Sequence, residues 1–126
     1  MYRIAVDFDG TIVENCYPKI GKPLPFAFET LKALQQKGCM LILWTCREGT
    51  LLEDAVKYCS AMGVEFYAVN KNYPEESLES PSSRKIDAQY YLDDRGLPAF
   101  MGWGETFQYL FPDDGRSFKK KRFKIF

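Results

Sequence analysis

Asp7 and Asp9 stand one residue apart at the end of a short apolar run, Ile4-Ala5-Val6, and are followed by Gly10-Thr11. The run has the character of a strand buried on both faces, and Gly10 allows the sharp turn that would end it. Side chains alternate along a strand, so Asp7 and Asp9 are expected to project to one side while Phe8 packs on the other. Two carboxylates in one small volume repel. One would hold a proton unless a cation lies between them or the two do different jobs. A hard divalent ion such as Mg²⁺ answers both conditions, because it takes oxygen ligands and keeps phosphate oxygens and waters as the rest of its shell. The chemistry that follows is phosphoryl chemistry.

Two later stretches end in the same way. Cys39-Met40-Leu41-Ile42-Leu43-Trp44 is a continuous apolar run that stops at Thr45-Cys46-Arg47-Glu48-Gly49. A strand, a helix and a second strand at this spacing form a right-handed crossover, which brings Thr45 out beside Asp7. A Thr ending a β-rich strand would read the same. Arg47 offers a planar fork of donors that fits a phosphate, and equally fits a surface arginine that starts a helix. Further on, Tyr90-Tyr91-Leu92 ends in Asp93-Asp94-Arg95-Gly96, with Lys85 a short distance before it.

Asp7-Phe8-Asp9-Gly10-Thr11 resembles the first motif of the haloacid dehalogenase-like (HAD) hydrolase superfamily, which is dominated by Mg²⁺-dependent phosphatases. Thr45 matches the second motif, Lys85 the third, and Asp93-Asp94 the fourth, in that order over most of the chain up to Gly96. The resemblance implies that Asp7 attacks phosphorus and becomes an aspartyl phosphate, and that Asp9 acts as general acid and then base. It implies that Thr45 and Lys85 hold the phosphoryl oxygens. Mg²⁺ would be held by a carboxylate oxygen of Asp7, the backbone carbonyl of Asp9 and Asp93, with Asp94 in support. Arg47-Glu48 and Asp94-Arg95 also look somewhat like the phosphatase half of polynucleotide kinase-phosphatases, which makes a nucleotide or nucleic-acid end an alternative substrate. A receiver-type phospho-accepting module gathers similar residues, but places its acid pair first. An inactive scaffold that has kept the site is a further reading.

The elements that must position these residues alternate between strand and helix. That order implies a three-layer, Rossmann-like α/β domain over residues 1–126, with a mainly parallel sheet and helices on both faces. Doubly wound, it places the first strand centrally, the second and third to one side and the Asp93 strand to the other. Val13 to Leu24 is rich in breakers and reads as a loop leaving the acidic strand end, where the superfamily inserts one class of cap. It is far too short to be a folded cap. Apolar spacing predicts helices over Phe26–Lys37 and from a Thr50–Glu53 capping box to Gly63, and a short one from Glu105. Val64–Val69 reads as a strand. Asn70–Ser83 reads as a mobile loop whose Asn70, Lys71, Asn72 and Tyr73 sit where substrate could be met. The basic, aromatic stretch from Arg116 to Phe126 reads as an edge strand or solvated tail.

Composition narrows the partners. The chain has 126 residues, enough to bury roughly two thirds of its unfolded surface, and balances 17 Lys plus Arg against 17 Asp plus Glu. No global field recruits nucleic acid or an anionic membrane, so binding rests on a local site for a small phosphorylated substrate. Access would be limited by the two loops, by a neighbouring subunit in a homo-oligomer, or by nothing. The N-terminus lacks the features of a secretory signal, which suggests the cytoplasm. Cys16, Cys39, Cys46 and Cys59 show no C-x-x-C pairing and are expected mostly as buried small hydrophobes. The sequence has no histidine to serve a nucleophilic cysteine.

Overall fold

A computed structural model describes residues 1–76, 85–97 and 99–116. Its strands are β1 (Arg3–Val6), β2 (Met40–Leu43), β3 (Ala68–Val69) and β4 (Tyr90–Leu92), and its helices are α1 (Ala27–Gln36), α2 (Gly49–Ala61) and α3 (Trp103–Leu110). The sheet is parallel throughout, in the order β3-β2-β1-β4. The central strand is therefore β1, with Val6 in register with Leu43 on one side and Leu92 on the other. This is the α/β architecture and strand order that the sequence implies. It sets the ends of β1, β2 and β4 side by side at one edge.

Strand alternation divides the core. Ile4, Val6, Phe8, Leu41 and Leu43 pack with Leu31 and Leu34 of α1, Cys59 of α2, and Trp103 and Phe107 of α3 in one buried cluster. Each large side chain fully buried there contributes roughly 1.5–3 kcal/mol. On the other face Ala5, Ile42 and Ala68 meet Ile86, with Tyr67 and Ala88 packed against them. The helices expected on both faces are thus, among the described residues, gathered in one cluster. On the second face, among the described residues, Ile86 and Ala88 of the connection from β3 to β4 lie against the sheet beside Tyr67. Residues 77–84 of that connection, Ser83 among them, lie outside the described residues, as do Pro98 and the C-terminal stretch beyond Arg116.

Local chemistry sets the helix ends. Gly38 and Gly63 each follow a helix: Gly38 N–H donates to Gln35 O at 2.9 Å and Cys39 N–H to Leu34 O at 3.1 Å. Gly63 N–H donates to Ser60 O at 3.0 Å and Val64 N–H to Cys59 O at 2.9 Å. Both pairs are Schellman closures, with the buried contacts Cys39–Leu34 and Val64–Cys59 that accompany them. The start of α2 differs from expectation. Thr50 already lies inside the first turn, Glu48 is the extended residue before it, and no side chain caps the helix. β3 is shorter than Val64–Val69 because it begins only at Ala68; it ends at Val69 as expected, where Asn70 takes a left-handed backbone (φ 54°). The Val13–Leu24 loop folds back on itself through Glu14 N–H to Lys22 O (2.7 Å) and Leu24 N–H to Ile12 O (2.8 Å).

Candidate metal and phosphoryl site

The three strand ends are locked in step. Asp7 N–H donates to Leu92 O at 3.0 Å, and Trp44 N–H donates to Val6 O at 2.9 Å. Asp7 and Asp93 thus emerge from adjacent parallel strands one residue past the paired Val6 and Leu92. With Asp94, each offers one carboxylate oxygen, and these oxygens lie within 4.8 Å of one another.

Thr11 fixes the third member. Its buried hydroxyl accepts a hydrogen bond from Asp94 N–H at 3.1 Å, and its carbonyl accepts one from Trp103 Nε1–H at 2.8 Å, tying the turn after β1 to the turn after β4 and to α3. Gly10 leaves the space. At φ 87° it adopts a backbone conformation that costs L-residues energy, and a Cβ there would meet Asp94 Oδ2 at 2.3 Å.

The donor set fits a hard divalent cation. Among the described residues the buried Asp94 Oδ1 has no hydrogen-bond partner, an acceptor for which a cation would account. Asp7 is pushed up to about 7: burial raises it most, the Phe8 N–H on Oδ1 at 2.8 Å opposes the rise, and Asp93, Asp94 and Asp9 add repulsion. Clustered oxygen donors with excess negative charge suit Mg²⁺ better than a soft metal.

Asp9 does not project with Asp7. The strand ends at Val6, and the amides of Thr11, Ile12 and Val13 all turn back to Phe8 O, so alternation is broken before Asp9. Its carboxylate meets Arg47 instead, with Nε–H donating to Oδ2 and Nη2–H to Oδ1, both at 2.8 Å. Arg47 is 1% exposed. It also donates to the carbonyls of Pro18 (3.3 Å) and Lys19 (3.0 Å), and lies over the rings of Phe8 and Tyr17. The bond to Asp9 raises its pKa further, so it stays charged. The fork that the sequence offers to a phosphate is turned inward and occupied.

Thr45 lies at the end of β2, held by its N–H donating to Asn70 Oδ1 at 2.8 Å, while its hydroxyl oxygen accepts from Arg47 N–H at 3.1 Å. The hydroxyl proton is left to donate elsewhere. Lys85 is exposed, its ammonium 5.6 Å from the centre of the Tyr91 ring. Of the other loop residues, Asn72 supports the β3–β4 connection by accepting from Asp87 N–H at 2.6 Å. The sequence reading missed the roles of Thr11, Asn70 and Trp103. Thr11 and Asn70 had a signal, being short polar residues directly after strands; Trp103 had none. Two cysteines, Cys39 and Cys59, are buried as expected, whereas Cys16 and Cys46 are exposed. Among the described residues no helix is long and apolar enough to cross a membrane.

No family model matches the chain, and no curated protein does. A solved structure of a conserved protein from Bacteroides thetaiotaomicron is 50% identical, covers 90% of this chain and 92% of that one, and superposes with a TM-score of 0.82. A D,D-heptose 1.7-bisphosphate phosphatase from B. bronchiseptica, solved with magnesium and phosphate, is 18% identical over 68% of this chain and 56% of that one, with a TM-score of 0.45. At that distance the second likeness carries no argument about activity.

Proposed function

The chain belongs to one family with the conserved Bacteroides thetaiotaomicron protein, and we propose that it is a divalent-cation-dependent phosphohydrolase of the HAD type that cleaves a small phosphate monoester. The observation that carries this reading is the convergence of Asp7, Asp93 and Asp94 from two neighbouring strand ends. The motif order supports it, with Asp7-x-Asp9-Gly10-Thr11 first and Asp93-Asp94 last.

Asp7 is the nucleophile. Its carboxylate oxygen forms a bond to phosphorus, the ester P–O bond breaks, and the electron pair leaves with the alcohol oxygen, which takes up a proton. Water then attacks phosphorus, the bond to Asp7 breaks, and phosphate and the free carboxylate are regenerated. A Mg²⁺ ion held by Asp7, Asp93 and Asp94 would keep Asp7 ionised and offset charge on the phosphoryl oxygens. The Thr45 hydroxyl donates to one of those oxygens, and Lys85 supplies positive charge from the rim. Both carboxylate oxygens of Asp9 are held in the Arg47 fork, so taking a proton from the attacking water, as well as giving one to the leaving alcohol, requires that the fork first open.

Phosphate release from a panel of monoesters, with Mg²⁺ and with chelator, tests the reading. Release that needs the cation and vanishes in Asp7→Asn supports it. An Asp7→Asn protein that hydrolyses esters at the parent rate would refute it.

A further inference from the structure

On the face of the sheet that carries Asp7, an aromatic corner is built directly behind the acids. Ala5 of β1 is fully buried, in register with Ile42 of β2 and Tyr91 of β4. Across the central strand Trp44, two residues past Ile42, meets the Tyr91 ring edge to face at 5.6 Å. Tyr91 is fixed: its hydroxyl donates to Ile86 O, and Lys85 lies over its ring. Trp44 is 36% exposed, so part of the indole is open to a ligand.

These rings form one wall of a cleft of about 470 Å³ that runs past β4 to Phe100, Met101 and Tyr109. Lys85 and Asp93 stand at the same cleft, and Asp93 belongs to the acid group. The volume lies within the range of small-molecule sites. Along a strand two residues span roughly 7 Å, which is the separation between the position of Asp7 and the level of Ala5 and Tyr91.

Resting on the phosphohydrolase reading, we propose that the substrate is a phosphate monoester whose leaving group carries a flat aromatic ring, seated against Trp44 and Tyr91 while its phosphate meets the acid group and Lys85. A pre-built aromatic wall binds such a ring with little ordering cost, and stacked or edge-on contacts favour it over an aliphatic chain of equal size. Lys85, over the Tyr91 ring and lining the same cleft as Asp93, complements the phosphate charge. Aryl phosphates and nucleotides share this chemistry, and the test separates them.

The test is calorimetric titration of the full chain in Mg²⁺ with three non-hydrolysable probes: phenylphosphonate, a nucleoside phosphonate and methylphosphonate. The expected result is a dissociation constant at least ten-fold lower for one of the aromatic probes than for methylphosphonate. That preference collapses towards unity in Trp44→Ala and is restored in Trp44→Phe, with melting curves confirming that each variant folds. Which aromatic probe binds more tightly identifies the source of the ring. Equal affinity for all three, or a preference unmoved by Trp44→Ala, overturns the proposal. Self-association through the β4 edge that excludes the probes from the cleft, read by sedimentation, overturns it too. If the aromatic probes bind through Trp44 but no monoester is hydrolysed, the pocket stands and the hydrolase reading falls.

Discussion

Arg47 closes both arms of its guanidinium on Asp9, Nε to Oδ2 and Nη2 to Oδ1 at 2.8 Å each, from a position with almost no contact with solvent. The same side chain holds the carbonyls of Pro18 and Lys19. The second acid of the first motif and the loop that follows it are therefore set by one residue that is 38 positions away from Asp9.

Removing that residue leaves a buried carboxylate without its partner. Arg47→Ala is expected to cost about 3 kcal/mol, at the low end for a broken buried pair because Asp9 keeps some solvent. Arg47→Lys keeps the charge but loses the bidentate geometry, and should recover less than half of the loss. Urea unfolding of the three proteins measures it; a change below about 0.5 kcal/mol would show that the fork contributes little.

Gly10→Ala tests the packing behind the acid group. The new Cβ must displace the Asp94 carboxylate, and the positive φ adds roughly 1–2 kcal/mol. Calorimetry with Mn²⁺ or Mg²⁺ should show at least ten-fold weaker binding while the fold persists. Unchanged affinity would place the cation away from Asp94.

The raised pKa of Asp7 has a pH signature in chelator. Folding holds its proton more tightly than the unfolded chain does, so its contribution to stability is full below the unfolded value near 4. It is lost as pH rises towards about 7. Allowing for solvent screening, the loss is on the order of 1–2 kcal/mol. Asp7→Asn should remove that part of the pH dependence between about pH 4 and pH 7, and saturating Mg²⁺ should reverse it in the parent. Identical pH profiles for parent and variant would contradict the burial of Asp7 and, with it, the repulsion from its neighbouring acids.

Cysteine reactivity checks the packing independently. Cys16 and Cys46 are exposed, while Cys39 and Cys59 are buried and burial pushes the Cys59 thiol up to about 12. A thiol reagent at pH 8 should label Cys16 and Cys46 quickly in the native chain, and Cys39 and Cys59 only after denaturant is added. Rapid native labelling of Cys59 would mean that α2 does not pack as described.

What was legible in the sequence was what short-range chemistry decides. Apolar runs ending in Asp7, Thr45 and Asp93 specify strand ends, and the crossover rule then orders the sheet without further information. Gly38 and Gly63 announce their helix closures. What was not legible depends on pairing across the chain. The sequence offers Arg47 equally to solvent, phosphate or carboxylate, and only the folded turn at Phe8 brings Asp9 to it. Strand alternation misplaced Asp9 for the same reason, since the turn begins at Phe8, two residues after Val6. The capping box at Thr50 failed because α2 starts earlier, at Gly49. The covering of the second face rests on Ile86 and Tyr67, side chains with no periodicity around them.

The central claim is that the carboxylate of Asp7 itself takes the phosphoryl group. Its most direct test is to quench the turning-over protein with borohydride in Mg²⁺ and read residue 7 by peptide mass spectrometry. Conversion of Asp7 to homoserine, through reduction of the acyl phosphate, is expected only when cation and monoester are both present. Phosphate release with residue 7 unmodified under those conditions would contradict it.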